Sequence, residues 1–242
     1  MKVEGKNAVM EALKAGTTID RLVVAKGLSD PSSQRIIIEA KSRGVKIFFR
    51  DKDVLERESV TKKHQGFLAE ITDYKYADFE AMIGKIVESG QSNSMVLLLD
   101  GIEDPHNLGS IMRVAECMGV DGMVIPRHRS VSVNETVIKV SAGASQHMQV
   151  AKVTNLNDAI GTLKDNGYFV YALETNGQDI TKTRFDGKIA MVIGGEGKGV
   201  HALTKKLCDT TISIPMYGKL NSLNASVACG IALQVAKSGM GK

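Results

Sequence analysis

The sequence predicts an α/β chain: a parallel sheet with helices on both faces, preceded by a small α/β unit. Three observations predict it. From Met95 onward, short apolar strands alternate with helical segments, the pattern of βα units whose sheet is covered on both faces. Ahead of residue 75 a shorter set of helix and strand signals stands apart. Between the two lies a polar run, Ser89-Gly90-Gln91-Ser92-Asn93-Ser94, of linker composition. With 242 residues, 43% apolar and 24% charged, there is room for one large domain or two modest ones.

Taken in order, Ala8, Val9, Ala12 and Leu13 have the spacing of an amphipathic helix, and Leu22–Ala25 reads as a strand. Ser32 or Ser33 is the expected cap of a helix over Arg35–Arg43, which Gly44 ends; Val45–Phe49 is β-branched and aromatic, hence a strand. These residues form the first domain, 1–75. Residues 76–93 read as a connecting helix, around Phe79, Met82, Ile83, Ile86 and Val87, followed by the linker. The third segment, 94–242, has strands at Met95–Leu99, Gly122–Ile125, Tyr168–Leu173, Ile189–Ile193 and Thr211–Ile214. Its last helix, over Ser222–Ala236, is rich in small residues at Ala225, Ser226, Ala228, Cys229, Gly230 and Ala232. Close packing against another element, across a dimer or within one chain, fits that composition equally.

Several classes are disfavoured. No apolar run approaches the roughly 20 residues that cross a bilayer, and MKVEGKNAVM carries charges where a signal peptide is apolar, so a cytoplasmic protein is expected. Cys117, Cys208 and Cys229 are dispersed in apolar stretches and read as buried free thiols; the histidines show no ligand spacing, and no metal is expected. Net charge is +4, and residues 1–75 hold 15 Lys and Arg against 11 Asp and Glu, leaving 16 of each sign in the remainder. The excess in the first third suits a polyanionic partner, and equally a solvated surface.

Three loops, each following a strand, carry unusual sequences where ligands of such sheets bind. The first runs Asp100-Gly-Ile-Glu-Asp-Pro-His-Asn-Leu-Gly-Ser-Ile-Met-Arg113, a polar turn into a helix start, with Asn107 the expected N-cap. Arg113, flanked by apolar residues, is poorly explained by folding alone. The second, Gly194-Gly-Glu-Gly-Lys-Gly199, is neither a Walker loop nor GxGxxG; its glycines would bring backbone amides against a ligand while Glu196 projects a carboxylate. The third, Pro215-Met-Tyr-Gly-Lys-Leu-Asn-Ser222-Leu-Asn224, sets the apolar anchors Met216 and Leu223 in a polar loop, which suits an amphipathic ligand; Ser222 is the expected cap of the last helix.

Together DPHNLGSIMR, GGEGKG and IPMYGKLNSLNASVA, in this order, resemble the three motifs of the SpoU-type (TrmH family, SPOUT superfamily) RNA ribose 2′-O-methyltransferases, from about residue 95 to the end. Residues 1–75 resemble the small RNA-binding domain that precedes the catalytic domain in that family, with VEGKNAVMEAL at the start and His64-Gln65-Gly66 near the end. The resemblance implies a deep trefoil knot in the C-terminal part, a homodimer across the cofactor end, S-adenosylmethionine as methyl donor and RNA as partner. It also implies a site: Asn107, Arg113, Glu196, Ser222 and Asn224 as catalytic or orienting residues, and Gly194, Gly195, Ile214, Met216, Leu223 and Thr175 in the cofactor pocket. The two-domain layout most resembles the bacterial enzyme that methylates a guanosine of large-subunit (23S) ribosomal RNA. Transfer RNA is the nearest alternative substrate. A non-catalytic RNA-binding protein of the same fold is disfavoured by the intact polar set, and a nucleotide-dependent oxidoreductase by the missing GxGxxG.

Overall fold

The structure is a computed structural model and describes residues 2–72 and 74–240. Two compact units emerge, Met1–Lys75 with Ser132–Glu135, and Tyr76–Val131 with Thr136–Lys242.

In the smaller unit the order is β1 (Lys2–Glu4), α1 (Lys6–Lys14), β2 (Thr18–Ala25), α2 (Pro31–Ser42), β3 (Ile47–Arg50), α3 (Lys52–Glu58) and β4 (Phe67–Thr72). The sheet runs β1-β4-β2-β3, with β4 antiparallel to both neighbours and β3 parallel to β2. Alternation along β2 divides its two faces. Leu22 and Val24 pack with Val9 and Leu13 of α1 and Ile36 and Ile37 of α2, whereas Val23 and Ala25 pack with Leu55 of α3. β2 starts four residues earlier than its apolar run suggested. Its first half is polar, and Arg21 is held across the strands by Glu70 at 2.7 Å and Glu58 at 3.3 Å. Asp30, not either serine, caps α2: its carboxylate accepts from the Ser33 amide and from both serine hydroxyls, and Pro31 starts the helix.

The larger unit continues with α4 (Phe79–Glu88), β5 (Ser94–Asp100), α5 (Pro105–Cys117), β6 (Gly122–Pro126), α6 (Glu135–Val140), β7 (Val150–Val153), α7 (Leu156–Asp165), β8 (Phe169–Glu174), β9 (Gln178–Asp179), β10 (Lys188–Gly194), α8 (Ala202–Leu207), β11 (Thr210–Ser213) and α9 (Ala225–Gly239). Its seven-stranded sheet is parallel throughout, in the order β7-β6-β5-β10-β8-β11-β9. The expected parallel sheet is therefore present, with β7 and β9 added at its two edges. These two are short, and VAKV and a two-residue strand carry no periodicity to read.

One face of the sheet packs on α4 and α7, where Met82, Ile83, Ile160 and Leu163 meet Val96, Leu98, Ala190 and Val192. The opposite face is covered by α5 and α9. α4 thus lies in the core of this unit, although its sequence read as a connector. Cys229 is buried, Cys208 half-buried and Cys117 exposed, so only one of the three thiols is in the interior as expected. Burial pushes the Cys208 and Cys229 thiols up to about 12, leaving both protonated at neutral pH. Among the described residues no helix is long and apolar enough to cross a membrane.

Removing the Met82 side chain should leave a cavity under the sheet. Met82→Ala is expected to cost about 2–5 kcal/mol in chemical denaturation, as for a core Met→Ala; a cost under about 0.5 kcal/mol would mean that α4 is a surface connector after all.

Candidate active site

The site is built where β5, β8, β10 and β11 end. In the strand order, β5 leads outward to β6 and β7 on one side while β10 and β8 lie on the other, so the carboxyl ends of β5 and β10 flank a topological switch, the usual ligand crevice of such sheets.

In the segment leaving β10, Gly194, Gly195 and Gly199 are packed too closely against other atoms for a Cβ. A Cβ on Gly194 would lie 2.1 Å from the Gly199 carbonyl carbon, one on Gly195 2.2 Å from the Gly101 oxygen, and one on Gly199 2.6 Å from Glu174 Oε1. These glycines are required by the protein's own packing, and Gly194 and Gly195 also line the larger cavity described below. Two carboxylates, each the last residue of its strand, hold the loop. Asp100, 7% exposed, accepts from the His201 amide and Nδ1, both at 2.8 Å, while its carbonyl accepts from the Gly195 amide at 2.9 Å. On the other side Glu174 Oε1 accepts from the Val200 amide at 2.6 Å. Neither carboxylate was read as a site residue; its position directly after a buried strand was the available signal.

Asn107, Glu196 and Asn224, one from each loop, form a closed cluster. Asn224 Nδ2 donates to Asn107 Oδ1 at 2.9 Å and to Glu196 Oε1 at 2.6 Å, and Asn107 Nδ2 donates to the same Glu196 oxygen at 3.1 Å. Asn107 does not cap α5. Asp104 does, accepting from the His106 amide at 2.8 Å, and this leaves the Asn107 amide, buried in the first turn, for the cluster. Nor does Ser222 cap the last helix. Asn224 Oδ1 takes the Ser226 and Val227 amides, which turns its Nδ2 toward Glu196.

Two cavities adjoin the cluster. The larger, about 720 Å³, is lined by Thr175, Gly194, Gly195, Ile214, Met216 and Leu223, all six of the expected cofactor residues, and by Glu196, Ser222 and Asn224. Size and lining fit an amphipathic cation. Ile193, Ile214, Met216 and Leu223 offer apolar wall for a flat ring, and Glu196 offers a carboxylate for positive charge. The smaller cavity, about 280 Å³, shares Gly195, Glu196, Lys198 and Gly199 with it and is completed by Asp100, Asn107, Arg129 and His201 among others. Arg113 lines neither cavity; it is exposed on α5. Among the described residues no group of three His, Cys, Asp or Glu side chains that could hold a metal ion comes together.

Proteins similar to this chain in sequence and in architecture include RNA methyltransferases. The chain is 42% identical over 232 residues to a provisionally named TrmH family tRNA/rRNA methyltransferase of Staphylococcus saprophyticus, covering 96% of this chain and 92% of the relative. A Staphylococcus aureus relative of the same description is 41% identical, covering 96% and 93%. In fold the chain resembles the SpoU methyltransferase AviRb of Streptomyces viridochromogenes, solved with AdoMet, at a TM-score of 0.62 and 20% identity over 98% of this chain and 89% of that one. It likewise resembles an AdoMet-bound rRNA methyltransferase of Sinorhizobium meliloti, at 0.62 and 22%, over 98% and 86%. Residues 94–234 match the SpoU rRNA methylase family, and residues 2–77 match RNA 2′-O ribose methyltransferase substrate binding. The chain belongs to this SpoU family of S-adenosylmethionine-dependent RNA ribose 2′-O-methyltransferases.

Because the loop after β10 tolerates no Cβ at Gly195, Gly195→Ala should displace it from Gly101 and spoil both cavities. S-adenosylmethionine affinity measured by calorimetry is expected to fall at least about tenfold, the equivalent of roughly 1.4 kcal/mol; wild-type affinity would show the contact to be dispensable.

Proposed function

We propose that the protein methylates the 2′-hydroxyl of a guanosine in large-subunit (23S) ribosomal RNA, with S-adenosylmethionine in the larger cavity and the target nucleotide on the Asn107 side. The observation that carries this reading is the Asn107–Glu196–Asn224 cluster, which borders both cavities and so stands where donor and acceptor have to meet. When bound, the cofactor supplies an electrophilic methyl group on a sulfonium. What remains for the chain is to align a weakly acidic hydroxyl with that methyl and to ease the loss of its proton.

Ile214, Met216, Leu223 and Thr175 would hold the adenine, to which backbone atoms of Gly194 and Gly195 would offer hydrogen bonds. Glu196, Ser222 and Asn224 orient cofactor and ribose, and Asn107 fixes the direction of the Glu196 carboxylate. Arg113 acts as an electrostatic group through an RNA phosphate, since a guanidinium holds its proton too tightly to be a base.

Its exposure on α5 supports a homodimer. α5 packs beside α9, and Val227 and Ile231 on α9 and Tyr217 and Leu220 in the preceding loop are all exposed apolar side chains. Association over this face would carry Arg113 of one protomer toward the site of the other. The deep trefoil knot implied by the resemblance belongs to the same reading, as does the cytoplasm as place of action. The smaller unit, with the match over residues 2–77, is read as the RNA-binding domain.

The test is transfer of labelled methyl to unmodified 23S ribosomal RNA and, separately, to unmodified transfer RNA. Arg113→Ala and Asn107→Ala should each lose at least about 100-fold in rate while cofactor binding survives. Wild-type rates in both would sink the site assignment, and methylation of transfer RNA alone would sink the ribosomal one. Light scattering should give a mass twice 26.0 kDa for the wild type, and a single chain's mass would rule out the dimer.

A further inference from the structure

The smaller cavity is lined by two cationic side chains, Arg129 and Lys198, that no carboxylate pairs with among the described residues, exposed Glu103 in the same lining included. Four carboxylates line it, and among the described residues three are already engaged: Asp100 by His201, Asp104 by the α5 amide it caps, and Glu196 by Asn107 and Asn224. Arg129 and Lys198, also in the lining, are exposed and make no ion pair or hydrogen bond among the described residues. Arg129 sits in the turn leaving β6, at the same carboxyl edge of the sheet as the rest of the site, and its backbone is left-handed (φ 54), a conformation that costs a non-glycine residue about 1 kcal/mol or more.

A nucleotide seated against Asn107 and Glu196 brings phosphates on both sides of its ribose. A cavity of about 280 Å³ has room for nucleoside atoms, not for the chain to either side. The phosphates therefore lie at its rim, where an unpaired guanidinium can take two phosphate oxygens in parallel. We propose that Arg129 is a further substrate-binding residue, gripping an RNA phosphate next to the target nucleotide and setting that nucleotide's register in the smaller cavity. Lys198, on the segment between the two cavities, contributes charge to the same strand. This assignment rests on the RNA-methylation reading above and adds a group that none of the three sequence motifs contains.

The test compares wild type with Arg129→Ala and Arg129→Asn, asparagine being chosen because it tolerates left-handed backbone. Each is assayed on whichever of the two unmodified RNAs, 23S ribosomal or transfer, the wild type methylates. KM for RNA should rise about tenfold or more, as for loss of a charge-assisted hydrogen bond. The slope of log Kd against log salt should fall by about 0.7–0.9, one phosphate contact. The S-adenosylmethionine Kd and kcat should change less than about threefold, and the melting temperature should hold because the side chain is exposed. Wild-type KM and salt slope in Arg129→Asn would overturn the proposal alone, as would a loss confined to kcat. A wild type that methylates neither RNA would overturn the RNA-methylation reading and this proposal with it.

Discussion

The whole site depends on one steric constraint: the segment from Gly194 to His201 has no space for a Cβ at Gly194, Gly195 or Gly199. Its glycines touch the Gly199 backbone, the Gly101 carbonyl and the Glu174 carboxylate. Close packing of this kind at the two ends of the loop leaves few alternative positions for them. The price is the conformational freedom of four glycines, which is large in the unfolded chain. Hydrogen bonds offset it. Asp100 and Glu174 accept three donors from Val200 and His201, and charge-assisted bonds are the stronger kind.

With the loop held, Glu196 becomes a fixed point to which the other two loops attach. Its carboxylate, on an exposed residue, accepts from the side-chain amides of Asn107 and Asn224, and bonds to an ionised acceptor are the stronger kind. The same bonds do local structural work. Asn224 caps α9 with its oxygen and reaches the cluster with its nitrogen, so the start of a helix and the geometry of the site are one arrangement. That coupling makes the polar set rigid before any ligand arrives, the condition under which dipoles stabilise a transition state without reorganising.

Charge is distributed accordingly. The larger cavity presents carboxylate and apolar wall, suited to a cation with a flat ring, whereas the smaller one adds Arg129 to a lining that already holds Lys198 and several carboxylates. Two arginines stand apart from the polar cluster: Arg129 at the rim of the smaller cavity and Arg113 on the exposed face of α5. In the proposed function both answer to phosphate, a partner that arrives only with RNA, which accounts for arginines left without carboxylate partners among the described residues.

Much of this was legible in the residues. The strands around Leu98, Val124, Val170 and Val192 announced themselves by apolar runs, and the three loops by residue types that packing alone does not demand. Six residues named for the cofactor pocket do line a single cavity. Edge strands were not legible, since two to four residues carry no period, nor was the first half of β2, whose Arg21 is paired by Glu58 and Glu70 far along the chain. The caps went to Asp30, Asp104 and Asn224 in place of their neighbours, because a cap is chosen by backbone direction, which the residue type alone does not reveal. The sequence by itself determined the βα alternation and the family, and it singled out Asn107, Glu196 and Asn224, which the structure brings together. Only the tertiary structure decided that Asp100 and Glu174 clamp the glycine loop, that Arg129 and His201 share a cavity with Asn107, and that Arg113 faces outward, because each of these depends on which strand ends lie side by side, a matter of non-local pairing.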